Sequence, residues 1–370
     1  MVSWQTKALN LVLHHTIKKV MSGSGTVQET RRFIEAKGAP RLPPGVTMKP
    51  VRANAFRGDW LRTPESTDER TLLYLPGGGF MLPASAQVPL LLARINREAG
   101  TRALLVHYRL APEHPFPAGL EDCLAAYRHL LDLGTDPKSI VIAGDSAGGG
   151  LTLSTLLALR DDGDPLPGGA VVISPFTDFS FGGESRFANA RHDPMLSPDG
   201  VGQMNALYLD DALHDNPLVS PVFGDFSGLP PTLAQVGSTE ILLDDTRRVG
   251  ERARAQGVDF EVEVWDEVPH VWHVWAFLPE SKAATTRIAK FIREHTQLAP
   301  AAALAPVKRP RKKAEPAARP PRKQAAPAQP QRPKKAGTAC QKRERSRKFM
   351  QPYLASHTHT HTHTHTHTHT

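Results

Sequence analysis

The chain has 370 residues, of which 40% are hydrophobic and 22% are charged, and its formal net charge is +8. This length and composition exclude a fibrous or wholly disordered protein and allow one large globular domain. The charge is uneven, because residues 299–370 hold 16 of the 45 Lys/Arg but only 2 of the 37 Asp/Glu. Residues 1–298 are therefore a mildly acidic body, and the basic total does not describe the body's partners.

The N-terminal residues and the two cysteines indicate in which cellular compartment the protein is expected. No apolar run approaches the roughly 18 residues that a membrane span needs. Residues 1–20 contain Lys7, Lys18 and Lys19 and no small-residue cleavage signature, so we predict an amphipathic helix and not a secretory signal. The two cysteines, Cys123 and Cys340, lie in the body and in the tail, and we expect no disulfide between them. We predict a cytoplasmic protein without a transmembrane segment.

The hydrophobic pattern predicts one or two helices in residues 1–45, followed by a strand-rich stretch from residue 46. Short apolar runs and helices then alternate, which indicates a mostly parallel sheet covered by helices on both faces, an α/β architecture. Buried strands are predicted at residues 71–75, 103–107, 139–143, 170–174, 232–236 and 260–265. Helices are predicted at residues 120–133, 147–159, 243–256 and 282–295.

Residues 183–215 interrupt the alternation with two prolines, a helical stretch at residues 200–209 and no obvious strand. In open parallel sheets, ligands bind beyond the carboxyl ends of the strands, where such an insertion commonly lies. We therefore expect residues 1–45, as N-terminal cap helices, and the insertion 183–215 to cover a catalytic domain of residues 46–297.

Residues 298–370 differ in composition from the body. They contain ten prolines and 16 basic residues and end in seven His-Thr pairs. Such a segment buries too little apolar surface to offset its ordering entropy, so we predict a disordered tail. The tail could bind polyanions weakly. We favour a functionless extension, because aromatic residues do not interleave with the basic ones. The His-Thr repeat could bind a metal ion or have no role.

The segment Gly144-Asp145-Ser146-Ala147-Gly148 fits the pattern G-x-S-x-G between a predicted strand and a predicted helix. This turn exposes a serine hydroxyl above the sheet, and the glycines leave room for the backbone. The alternative is a glycine-rich turn that holds a phosphate or nothing. The strand and helix on either side favour Ser146 as a nucleophile, with the Ala147 amide as an oxyanion donor.

Three glycines, Gly77 to Gly79, follow the strand at residues 71–75 and precede Phe80. A glycine loop can turn its amides toward a developing alkoxide without side chains in the way. Alone it could be a simple flexible turn. Its position before the serine turn favours an oxyanion hole.

A nucleophilic serine needs a base and an acid, which follow it in the order serine, acid, histidine in this type of sheet. His270 comes after the last predicted strand and is the candidate base, with His273 as its rival. Glu240, Asp244 and Asp245 compete for the acid. Glu240 is nearest to a strand end, whereas the two aspartates would lie in the following helix.

These motifs, in this order, resemble the bacterial hormone-sensitive lipase family of esterases over roughly residues 1–297. Five segments match the family pattern. That pattern consists of H-G-G-G-F, Y-R-L-A-P-E with F-P-A, G-D-S-A-G-G, an acidic D/E-x-L-x-D stretch and a final histidine. The five segments are Pro76 to Phe80, Tyr108 to Glu113 with Phe116 to Ala118, Gly144 to Gly149, Glu240 to Asp244 and His270 to Trp272.

The resemblance implies an α/β-hydrolase fold and a carboxylic ester hydrolase for short to medium acyl esters, without metal or cofactor. It implies a Ser146–His270–Glu240 triad, an oxyanion hole of Gly78, Gly79 and Ala147, and a substrate-binding role for Phe80. Three residues depart from the family: Pro76 replaces a histidine, Glu240 an aspartate and Phe176 a tryptophan. Pro76 is the one argument for the alternative, a non-catalytic binding protein with this fold.

Overall fold

The computed structural model describes residues 2–18, 26–36, 38, 41–209 and 214–296. The predictions for the tail, residues 298–370, and for its His-Thr repeat lie outside the described residues. Within the described part, no helix combines the length and the apolarity that crossing a membrane requires.

Eight strands form a single sheet in the described residues, in the order β1-β2-β4-β3-β5-β6-β7-β8. The pairs β1–β2 and β2–β4 are antiparallel, and the other five pairs are parallel. The strands are β1 (Thr47–Arg52), β2 (Arg57–Arg62), β3 (Thr71–Leu75), β4 (Arg102–Val106), β5 (Ile140–Asp145), β6 (Gly169–Ile173), β7 (Thr232–Gly237) and β8 (Phe260–Trp265).

Nine helices accompany this sheet within the described ranges. They are α1 (Trp4–His15), α2 (Val27–Ala36), α3 (Val88–Ala99), α4 (Ala118–Asp132), α5 (Ala147–Asp161), α6 (Ser185–Ala188), α7 (Pro198–Tyr208), α8 (Leu243–Ala255) and α9 (Pro279–His295). Helices α4, α5 and α8 contribute to the core on one face, and α3 and α9 to the core on the other. The predicted α/β-hydrolase fold, with a mostly parallel sheet between two helical layers, is confirmed.

The central strands separate two hydrophobic cores because alternate side chains point to opposite faces of a sheet. In β3, Leu73 and Leu75 join the core under α4 and α5, whereas Leu72 and Tyr74 join the core under α3 and α9. Every residue of β3 is buried. A strand buried on both faces shows a continuous apolar run, which is why the sequence pattern located it correctly.

Two N-terminal helices are fixed to the body by polar contacts. Glu280 of α9 accepts hydrogen bonds from Ser3 and Thr6 at the start of α1, and Arg31 of α2 donates to the carbonyls of Met81 and Ala111. The predicted pair of helices in residues 1–45 is therefore present, and α2 lies against the segment that follows the glycine loop.

The insertion between β6 and β7 contains α6 and α7 but no strand among its described residues. Helix α7 begins at Pro198, two residues before the predicted start, because the Ser197 hydroxyl accepts a hydrogen bond from the Gly200 amide and caps the helix. The predicted strand 103–107 ends one residue early, and the exposed His107 ring lies 2.6 Å from the Asp59 carboxylate.

Candidate active site

Ser146 stands at a sharp turn between β5 and α5. Its backbone has φ +54° and ψ −121°, which is a strained conformation for a residue with a side chain. The turn is held on both sides, since the Ser146 amide donates to the carbonyl of Ile173 at 2.8 Å and its carbonyl accepts from Phe176 at 2.9 Å. Ser146 is half-buried and borders a cavity, so its side chain is accessible to a ligand there.

The glycines around Ser146 are required by close backbone packing. A Cβ atom on Gly148 would lie 1.9 Å from the carbonyl oxygen of Leu75, and one on Gly144 would lie 2.2 Å from the carbonyl oxygen of Gly148. Any side chain at either position would push α5 away from the sheet. The spacing of the G-x-S-x-G pattern thus follows from the contact between helix and strands.

His270 and Glu240 meet beside this cavity. His270 Nδ1 lies 2.6 Å from Glu240 Oε2, and both residues are almost fully buried. His270 lies on the loop after β8 and lines the same cavity as Ser146. Glu240 lies just after β7, at the carboxyl edge of the sheet. The three residues that the sequence singled out are therefore brought to one side of the sheet.

The second carboxylate oxygen of Glu240 is fixed by two donors. Glu240 Oε1 accepts from the Ser174 hydroxyl at 2.7 Å and from the Gly237 amide at 2.6 Å. The Ser174 hydroxyl also accepts from the Val271 amide at 3.3 Å, next to the histidine. Ser174 therefore connects the acid to the histidine loop, and it leaves Oε2 free to face the His270 ring.

The competing acids have other partners. Asp244 accepts from the Ser185 amide at 2.7 Å, and Asp245 pairs with the buried Arg186 at 2.8 Å. Both contacts attach the insertion to the start of α8. The rival histidine, His273, is fully buried with its Nε2 2.7 Å from Gln235 Oε1, and burial, with nearby Arg94, holds its pKa well below the ordinary value. These residues have structural partners.

Asp193, from the insertion, is a second carboxylate near the histidine. It is fully buried, and its oxygens accept from the amides of Met195, Leu196 and Ile241 at 2.8–2.9 Å. Ile241 directly follows Glu240, so one side chain connects the insertion to the turn that carries the acid. Burial, with the nearby Glu240, raises the pKa of Asp193, and the three amides oppose this shift.

The surroundings favour a charged imidazole. Burial alone would lower the pKa of His270, but the carboxylate of Glu240, with Asp193 and Asp145 further away, raises the pKa above its ordinary value. Negative charge beside the ring thus outweighs the loss of solvent. This is the electrostatic arrangement that a base needs if it is to accept a proton from a hydroxyl.

The glycine loop after β3 is held by side chains that were not among the predicted site residues. Asp145 accepts from the Tyr74 hydroxyl at 2.8 Å and from the Gly77 amide at 3.0 Å, while the Tyr108 hydroxyl donates to the carbonyl of Pro76 at 2.7 Å. A Cβ atom on Gly77 would lie 2.3 Å from Asp145. The loop position is therefore set without the family's histidine at residue 76.

The candidate oxyanion donors lie at the same cavity as Ser146. Gly78 (φ +136°) and Gly79 (φ +59°) adopt backbone conformations that favour glycine, and both line the cavity together with Ala147. No described residue accepts a hydrogen bond from the amides of these three residues. The arrangement leaves three backbone donors near the serine turn.

The cavity has a volume of about 820 Å³ and a largely apolar lining. Its walls come from the glycine loop, from the two N-terminal helical segments through Ile17 and Ile34, and from the insertion through Met195 and Met204. Phe80, predicted to bind substrate, lines this cavity, but its ring is mostly buried and stacks on Tyr208 with centroids 4.0 Å apart. Phe80 thus contributes a rigid wall.

Within the part of the chain that the structure describes, no group of three or more His, Cys, Asp or Glu side chains is arranged to hold a metal ion. Two polar residues of the site carried no sequence signal: Ser174 and Asp193 bond to partners 66 and 48 residues away in the chain. A third, Asp145, lay inside the G-x-S-x-G motif.

Comparison with known proteins identifies the family of this chain. Residues 72–274 match the family model described as alpha/beta hydrolase fold. The chain is 41% identical over 266 residues to an acetyl-hydrolase of Streptomyces hygroscopicus, covering 72% of this chain and 88% of the relative.

Solved structures of esterases also resemble this chain in both sequence and fold. The crystal structure of EstE5 soaked with ethyl alcohol matches with a TM-score of 0.76 and 38% identity, covering 79% of this chain and 99% of EstE5. An esterase from the bacterial hormone-sensitive lipase family matches with a TM-score of 0.75 and 40% identity over 80% of this chain and 100% of that one. The chain therefore belongs to the α/β-hydrolase fold family, and within it to the serine ester hydrolases of the bacterial hormone-sensitive lipase group.

Proposed function

We propose that this chain hydrolyses short to medium acyl carboxylic esters through a Ser146–His270–Glu240 triad. The observation that carries the proposal is the 2.6 Å contact between His270 Nδ1 and Glu240 Oε2 beside the cavity that Ser146 also lines. His270 takes the proton of the Ser146 hydroxyl, and the serine oxygen attacks the ester carbonyl. Glu240 keeps the proton on Nδ1 and stabilises the imidazolium that forms.

The tetrahedral intermediate places negative charge on the former carbonyl oxygen. We assign its stabilisation to the amides of Gly78, Gly79 and Ala147, which have no other acceptor among the described residues. The protonated His270 then donates to the leaving alcohol, and water repeats the sequence on the acyl-serine. The residues need no metal or organic cofactor for these steps, and the small-molecule ester is the only partner that they require.

The domain boundaries remain part of the proposal. Residues 46–297 would be the catalytic domain, and residues 1–45 with 183–215 the cap. Support comes from Ile17, Ile34, Met195 and Met204, which place both cap segments on the cavity wall. Non-catalytic binding has no observation in its favour, since Tyr108 and Asp145 fix the loop that contains Pro76. The cytoplasmic location and weak polyanion binding by the tail stay predictions.

A panel of chromogenic esters of graded acyl length tests the proposed substrate range. We expect kcat/KM to rise from acetyl to medium acyl chains, because each buried methylene adds about 0.8 kcal/mol of transfer free energy. It should fall once the acyl chain exceeds the cavity of about 820 Å³. An unchanged kcat/KM from acetyl to long acyl esters would contradict the assignment of this cavity to the acyl group.

The pH dependence of kcat/KM follows from the state of His270. A base must be neutral to accept a proton, so we expect activity to be lost as pH falls through the pKa of His270. Burial lowers that pKa and the carboxylates raise it, with a net rise. The acid limb of the profile should therefore lie above pH ~6.5, the ordinary value for histidine.

Asp193→Asn separates the charge of Asp193 from its role in the fold. The substitution removes a negative charge that raises the pKa of His270, so the acid limb should move to lower pH. The matched control is Asp244→Asn, since Asp244 has its own partner in Ser185. A lower kcat with no movement of the acid limb would mean that Asp193 acts only through packing.

The tail prediction concerns residues 299–370. Removing them should leave esterase turnover and melting temperature nearly unchanged, because exposed ion pairs between a tail and an acidic body contribute about 0–1 kcal/mol each and are screened by salt. Binding to heparin should weaken. A truncated protein that lost most of its activity would show that the tail belongs to the working structure.

A further inference from the structure

Helix α1 is apolar on two opposite sides. Its inner side packs on the body, where Leu9 joins a cluster with Trp272 and Trp275 and Leu13 is only 4% exposed. Its outer side carries Trp4, Leu11 and Val12, which are 74%, 63% and 57% exposed. At 100° per residue, positions 4, 8, 11 and 12 form one apolar stripe, which ends at the exposed His15. A helix at a protein surface normally turns polar residues outward, so this stripe is a feature to be explained.

The charge at the border of the outer stripe is basic. The exposed Lys7 lies at that border, and residues 1–28 contain no Asp or Glu. The acidic residues that contact α1 lie on its inner side. There Glu280 accepts from Ser3 and Thr6, and Asn10 donates to the backbone of Glu267. The outer stripe therefore combines exposed apolar side chains with the cation of Lys7 at its border.

The inner side of α1 and the residues that follow the helix lie beside the cavity. Leu9 of α1 and Trp275 belong to the same cluster, and Trp275, Ala276 and Phe277 line the cavity. Phe277 is 61% exposed, and Ile17, two residues beyond α1, lines the cavity as well. Exposed apolar side chains are thus present both on α1 and on the segment around Phe277 that lines the cavity.

We propose that the outer stripe of α1 docks on an anionic lipid surface, so that the cavity entrance faces esters dissolved in that surface. Interfacial helices bury Trp and Leu at the level of the headgroups and place cations against anionic lipids, which is the combination found on α1. This assignment does not depend on which residues carry out hydrolysis.

Two other occupants fit less well on electrostatic grounds. A second copy of the chain would bring one Lys7 against another, with no acidic residue in residues 1–28 to compensate. The apolar residues of the tail, such as Phe349 and Leu354, follow a strongly basic run that Lys7 repels. An anionic lipid surface complements both the apolar stripe and its charge.

The test is flotation of the full chain with vesicles of phosphatidylcholine and phosphatidylglycerol. The variant Leu11→Ser/Val12→Ser removes two exposed side chains of the stripe, and the control Leu133→Ser/Phe187→Ser removes two that are 57% and 56% exposed elsewhere. We expect the α1 variant to partition about tenfold less than the parent, and the control to match the parent. Both arms keep the basic tail, so its attraction to the vesicles cancels.

Hydrolysis provides a second readout. The α1 variant should lose rate on an ester embedded in the vesicles but keep the parental rate on a water-soluble ester, because neither Leu11 nor Val12 lines the cavity. A failed catalytic assignment would instead affect both substrates alike. If melting showed the double variant to be unfolded, Leu11→Ser alone would decide.

Equal partitioning of parent and α1 variant, in low and in high salt, would overturn the proposal. So would a variant that changed only the oligomeric state in gel filtration, since the stripe would then be a contact between copies of the chain.

Discussion

Ser146→Ala should reduce ester hydrolysis by about a million-fold in kcat, the loss seen when the nucleophile of a triad is removed. The expected residual rate is that of oxyanion stabilisation and substrate binding alone. The melting temperature should stay close to the parental value, because the turn is held by the Ser146 backbone and not by its hydroxyl. Steady-state hydrolysis of an acetyl ester and thermal unfolding, measured side by side, check both parts.

Ser85→Ala is the matched control, because Ser85 lines the same cavity and the substitution also removes one hydroxyl. It should keep activity within a few-fold of the parent. If Ser146→Ala retained as much as a tenth of the parental turnover, the nucleophile would have to be sought elsewhere.

Glu240→Gln should lower kcat by about four orders of magnitude while leaving the fold intact. The Ser174 hydroxyl and the Gly237 amide both donate to the Oε1 position, so the amide oxygen of glutamine must occupy it. The amide nitrogen then faces His270, which can only accept there, and the ring proton moves to Nε2. A histidine with a proton on Nε2 cannot take one from a serine.

Asp244→Asn and Asp245→Asn test the rival acids in the same assay. Asp244 lies against Ser185, so its variant should keep near-parental kcat. Asp245 pairs with the buried Arg186, so its variant should lose stability before it loses chemistry. A Glu240→Gln enzyme with parental kcat, next to an inactive Asp244→Asn enzyme, would reverse our choice of acid.

The sheet and the order of its elements could be predicted because each central strand is buried along its whole length. The runs in β3, β5, β6 and β7 are unbroken in burial, and such runs between turns leave few other interpretations. Element ends were less accurate. The predicted strand 103–107 included residue 107, whereas β4 ends at Val106 and the exposed His107 ring lies 2.6 Å from the Asp59 carboxylate.

The triad candidates could be named from the sequence because strand ends converge at one edge of a parallel sheet. The choice of Glu240 over Asp244 and Asp245 rested on its distance from the strand end and on the resemblance to the family. The structure adds the hydrogen-bond partner of each of these three carboxylates. Ser174 and Asp193 could not be predicted, since their hydrogen bonds join distant parts of the chain and produce no periodicity or spacing.

The effect of a departure from the family pattern also depends on contacts between distant parts of the chain, which the sequence does not show. Pro76 stands where relatives have histidine, and the sequence alone does not show which contacts hold the loop there. The hydroxyl of Tyr108 and the carboxylate of Asp145 hold residues 76 and 77, from positions 32 and 68 residues later in the chain. Which contacts take over from an absent side chain depends on tertiary structure.

The bond between Asp193 and the Ile241 amide has a consequence for recombining this enzyme with its relatives. Segment exchange treats residues 183–215 as a portable module that can be replaced to alter substrate range. Here that module contributes a carboxylate to the turn next to Glu240, at 2.9 Å from the Ile241 amide. A chimaera with another residue at position 193 would lose this hydrogen bond, and Glu240 would be held less firmly. Asp193 should therefore be retained when the rest of the segment is exchanged.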